Sequence, residues 1–62
     1  MADSIENLLK VVLDTETTML QHYEELLPSI NNDEVREIIL SIKADEEKHI
    51  ANARKALDVL KG

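Results

Sequence analysis

Glu46 and His49 stand three residues apart in the run Asp45-Glu46-Glu47-Lys48-His49. On a helix this spacing sets a carboxylate and an imidazole on one face, a turn apart. A third group, Glu16, falls on the apolar stripe of the preceding segment. Two carboxylates and one imidazole make a hard oxygen and nitrogen donor set. Such a set suits iron(II), manganese(II) or zinc, and lacks the soft thiolates that select copper(I). The chain has no cysteine, which removes disulfides, thiolate metal sites and thiol chemistry together. If two copies of the set converge, each metal takes an imidazole and a terminal carboxylate, and the remaining carboxylates bridge the pair.

Each residue also has a plainer account. Glu16 alone reads as a boundary side chain reaching solvent, and Glu46 with His49 as an exposed polar pair. His22 lies well off the Glu16 line and reads as a surface or interface residue, and Met19 as core. The three candidate ligands together favour metal, because carboxylates gathered at a bundle centre are costly without cations or protons.

The elements that carry these groups are helical. Asp3 followed by Glu6 reads as a capping box. Ile5, Leu9, Val12, Met19, Leu20, Tyr23 and Leu27 then recur at helical spacing. Pro28 ends or kinks that helix, Asn31-Asn32-Asp33 offers turn and cap chemistry, and Asp33-Glu34 suits a new start. The second stripe is Val35, Ile39, Ile42, Ala53, Leu57 and Leu60. The pattern predicts one domain over 1–62, with a helix over about 4–27, a loop over about 28–33 and a helix over about 34–61. With the turn centred near Asn31, Glu16 and Glu46 reach the same height and His49 lies one turn away. The fold class is all-α, an antiparallel helical hairpin.

Two helices cannot enclose a core, so each apolar stripe is covered only in part. The expected solution is a homodimer, two hairpins forming a four-helix bundle by twofold symmetry. That doubling supplies four Glu and two His at the centre. Val11, Leu40 and Val59 point off the stripes, a weak hint of further assembly. The net charge of −6 and the single aromatic residue, Tyr23, argue against nucleic acid and anionic membranes. No apolar run nears the ~20 residues that span a bilayer. The amino terminus has no signal-peptide pattern, and the expectation is a cytoplasmic protein.

The segment Lys43-Ala44-Asp45-Glu46-Glu47-Lys48-His49-Ile50, with Glu16 and Tyr23 one helix earlier, resembles the ferritin-like superfamily. It is similar to the iron-binding helix of bacterioferritins and rubrerythrins, to the two-helix encapsulated ferritins, and especially to the designed Due Ferri hairpins. Without cysteine, a complete rubrerythrin is excluded. The resemblance implies a ferritin-like four-helix bundle whose diiron site is shared between subunits. It implies Glu46 as the bridging ligand, Glu16 and His49 as terminal ligands, and Tyr23 and Asp45 as hydrogen-bonding groups behind them. Two iron ions per dimer follow, with manganese or zinc as substitutes. The implied activity is ferroxidase, the oxidation of iron(II) by dioxygen or peroxide in iron detoxification or storage. The alternative is a structural hairpin whose bound metal stabilises the dimer without turnover.

Overall fold

The structure is a computed structural model that describes residues 2–62, with side chains described from Ser4 onward. Helix α1 spans Ala2–Leu26 and helix α2 spans Asp33–Lys61. Between them lie a single 3₁₀ turn, Leu27–Ser29, and three connecting residues. The chain is therefore all-helical, and the two helices pack as a hairpin 47 Å long.

Helix α1 already includes Asp3, so Asp3 sits within its first turn instead of ahead of it. The side-chain half of the Asp3–Glu6 capping box lies outside the described residues. Helix α1 stops at Leu26, just ahead of Pro28. The proline occupies the start of the 3₁₀ turn, where a missing backbone donor costs little. Asn32 then caps α2: its backbone is extended, and its Oδ1 accepts from the Val35 N–H at 3.0 Å. Arg36 donates through its guanidinium to the Ile30 carbonyl, tying the connection to the first turn of α2. At the far end Gly62 takes φ +56, a left-handed conformation that glycine adopts without steric cost, and its N–H caps the Asp58 carbonyl at 3.1 Å.

The seam between the helices differs from the stripes read in the sequence. Ile50, Ala53 and Leu57 of α2 are the buried apolar residues, and Leu9, Leu13, Leu20 and Tyr23 of α1 are half-buried, as is Leu27 at the start of the 3₁₀ turn. Leu13 and Ile50 belong to this seam although neither was placed on a stripe. Conversely Ile5, Val12, Met19, Val35 and Leu60 stay exposed, and Leu8, Leu26 and Ile38 join them. The reason is width. A stripe centred on one line serves a single neighbour, whereas here the apolar arc is wider than one helix can cover.

The uncovered residues form a single face. At about 100° per residue, they are displaced from the contact line in the same rotational sense on α1 and on α2. For two antiparallel helices facing each other, the same sense means the same side of the hairpin. One side is thus a long apolar face, while the other carries Lys10, Asp14, Gln21, Arg36, Glu47 and Arg54, all exposed. Val11, Leu40 and Val59 are exposed away from this face. Neither helix is long and apolar enough to cross a membrane among the described residues.

Candidate metal centre

Glu16, Glu46 and His49 meet at mid-length of the hairpin. Each offers one ligand atom, and the three atoms lie within 4.8 Å of one another. His49 Nδ1 is 3.4 Å from Glu16 Oε2 across the seam and 4.0 Å from Glu46 Oε1 along α2. Helical side chains lean toward the amino terminus of their own helix. In an antiparallel pair Glu16 therefore leans toward the C-terminal half of α2, and His49 leans back to meet it. That tilt brings His49, a turn past Glu46, into the closest ion-pair contact with Glu16.

Burial divides the three. Glu46 is only 8% exposed, whereas the His49 side chain is 57% exposed and opens onto the apolar face. Glu16 is half-buried between them. Oε2 of Glu16 and Oε2 of Glu46 are buried without a hydrogen-bond partner. The 3.4 Å approach of His49 to Glu16 Oε2 lacks hydrogen-bond geometry.

The neighbours do not repair this deficit. Thr15 and Thr17 flank Glu16, but each hydroxyl donates to its own helix, to the carbonyls of Val11 at 2.9 Å and Leu13 at 2.7 Å. Lys43 reaches across to Glu24 at 3.9 Å, and Lys10 pairs with Glu6 at 3.4 Å. Among the described residues, no lysine or arginine forms an ion pair with Glu16 or Glu46. Buried carboxylate oxygens without donors are costly, by several kcal/mol for an ionised group. A divalent cation removes that cost directly, and the oxygen and nitrogen donors present fit one.

The two supporting residues sit differently. Tyr23 is half-buried on the Glu16 side of α1, two turns nearer the connection, and its hydroxyl makes no hydrogen bond among the described residues. Asp45 is exposed, and no hydrogen bond or ion pair joins it to His49. A metal-bound imidazole usually gives its remaining N–H to an acceptor. Within one chain Asp45 does not accept it. Met19 and His22 are exposed, and His22 is not one of the three clustered groups.

Comparison with known proteins adds nothing to this geometry: no protein-family model, curated protein or solved structure matches the chain.

Proposed function

We propose that the chain is a ferritin-like dinuclear metal protein that binds iron(II) and oxidises it with dioxygen or peroxide at a site shared between two subunits. The observation that carries this reading is the buried Glu46 side chain, whose Oε2 has no hydrogen-bond partner, with Glu16 and His49 closing round it. One chain supplies three donors, too few to enclose a pair of metals. His49 opens onto the apolar face, where a second hairpin would bring three more donors. Two iron(II) ions held together can deliver two electrons to one oxidant, which is the chemistry the metal supplies.

The residues of the chain do the rest. Glu46, the most buried, would be the shared ligand, and Glu16 and His49 would supply the terminal carboxylate and imidazole from opposite helices. Covering the face excludes water, which strengthens each charge interaction inside the site. The hairpin itself has no cavity among its described residues. Any storage role would therefore need a larger assembly around it.

The competing reading is a structural hairpin whose metal stabilises the dimer without turnover; the wide apolar face supports it equally well. Anaerobic loading with iron(II), followed by admission of air, separates the two. Ferric absorbance that develops much faster than in buffer, and is lost in Glu46→Ala and His49→Ala, is the expected result. Metal binding with oxidation no faster than in buffer would leave only the structural role.

A further inference from the structure

Met19 is the one thioether among the described residues, and it lies on the uncovered apolar face beside the ligands. It follows Glu16 by three residues, one turn nearer the connection. The Glu16–His49 contact at 3.4 Å and the Glu24–Lys43 contact at 3.9 Å bracket it, which sets it level with Glu46 of α2. At about 100° per residue it falls within about 20° of Leu8, Val12 and Leu26, so the four share one strip of α1. All four are exposed, Met19 at 39%. The three aliphatic side chains are inert to oxidants. The sulfur of Met19 is not.

On the shared-site reading, dioxygen takes two electrons from two iron(II) ions and two protons from water, and becomes hydrogen peroxide. The sulfur lone pair of Met19 attacks one peroxide oxygen, the O–O bond breaks, and the other oxygen leaves as water with both protons. The thioether is oxidised to a sulfoxide, and the peroxide is reduced by the same two electrons. The new oxygen is a strong hydrogen-bond acceptor. In a separated hairpin, solvent supplies its donors, because Met19 is exposed. Beneath a second hairpin its neighbours on the strip are aliphatic, and a polar oxygen left without a donor there is costly. Oxidation therefore favours the separated chains, in which the ligands of one copy no longer meet those of the other.

We infer that Met19 is an oxidation site, and that its conversion to the sulfoxide by hydrogen peroxide separates the two hairpins and halts iron oxidation. The inference rests on the shared-site reading and adds a limit on turnover as peroxide accumulates. It holds for any twofold docking that superposes the two ligand clusters, since each copy then carries its Met19 into the covered face at ligand level.

The zinc-loaded protein separates the effect of the sulfoxide from the chemistry of iron. After hydrogen peroxide treatment, with the gain of one oxygen on the Met19 peptide followed by mass spectrometry, the dimer dissociation constant should rise roughly tenfold or more. Methionine sulfoxide reductase should restore it. Met19→Leu, a volume-conserving change that keeps Met1, should form the same dimer and keep it through the same treatment. During aerobic iron(II) oxidation the wild-type Met19 peptide should gain oxygen and ferric formation should slow, whereas Met19→Leu should continue at its initial rate. An oxidised wild-type dimer as tight as the untreated one overturns the inference and leaves the shared site standing. So does a Met19→Leu dimer that peroxide weakens equally, or rapid iron oxidation that leaves Met19 unmodified. Absence of any zinc-loaded dimer before treatment overturns the shared site and the inference together.

Discussion

Glu16 Oε2 and His49 Nδ1 lie 3.4 Å apart across the seam, yet the carboxylate oxygen remains without a hydrogen bond. Together with Glu46, these groups are brought close without satisfying one another. A hairpin built only for stability would place apolar side chains here, as it does at Ile50 and Leu57 one and three turns further along α2. The carboxylates therefore weaken the isolated fold, and a cation bound there would offset their cost.

Replacing Glu46 by Gln tests that cost. The amide keeps the shape and removes the buried charge, so the metal-free protein should be as stable or more stable in urea. Metal affinity should fall by at least tenfold, read by titration with zinc or anaerobic iron(II). A metal-free protein that loses about 2 kcal/mol or more on this change would show that Glu46 serves the fold through a partner.

His49 should behave differently from Glu46 because it is exposed in the single chain. His49→Ala should alter metal-free stability by no more than about 0.5 kcal/mol, as for most surface changes. It should nevertheless abolish fast iron oxidation. Equal loss of folding and of oxidation, measured by thermal unfolding and ferric absorbance, would contradict the assignment.

Much of this was legible in the residues themselves, because helix signals are local. Pro28, the Asn31-Asn32-Asp33 turn and the 3.6-residue periodicity depend on neighbours within a turn or two, and both helices lie close to the expected spans. The Glu16, Glu46 and His49 cluster was legible for a related reason: in a hairpin, the turn position alone sets which residues share a height. The division of the apolar arc was not. Whether Val12 or Leu13 faces α2 depends on rotation of α1 about its own axis, which a single stripe cannot specify. Nor could the spacing show that Asp45 leaves His49 unpartnered, since that depends on side-chain rotamers.

The apolar face predicts an assembly that polar substitutions should break selectively. Leu8→Glu and Ile38→Glu place charges on the exposed apolar face and should shift sedimentation toward monomer. Leu40→Glu, exposed away from that face, should leave the sedimentation unchanged. If all three behave alike, the face is not the interface.

The connection makes a prediction independent of metal. Asn32 holds the first turn of α2 through the Val35 N–H. Asn32→Ala should cost about 1 kcal/mol of stability, and Asn32→Asp should cost far less, because aspartate accepts the same bond and suits the helix dipole. Urea unfolding of the metal-free protein measures both. The stability effect should not depend on zinc, since Asn32 lies roughly 20 Å along α2 from the cluster at 1.5 Å per residue.

Metal removal tests the coupling of site and assembly. Binding that favours the folded dimer over other states stabilises it by RT ln(1 + [L]/Kd), about 2.7 kcal/mol at a free metal concentration of 100 Kd. The midpoint of thermal unfolding should rise with added zinc and with protein concentration, and a chelator should reverse the zinc effect. On the shared-site reading one chain supplies only three donors and would leave the metals half enclosed. Zinc should therefore bind in proportion to dimer, one ion per chain, in native mass spectra. A population of metal-bound monomer exceeding metal-bound dimer at micromolar protein would show that the Glu16, Glu46 and His49 set suffices alone, and that the second hairpin serves another purpose.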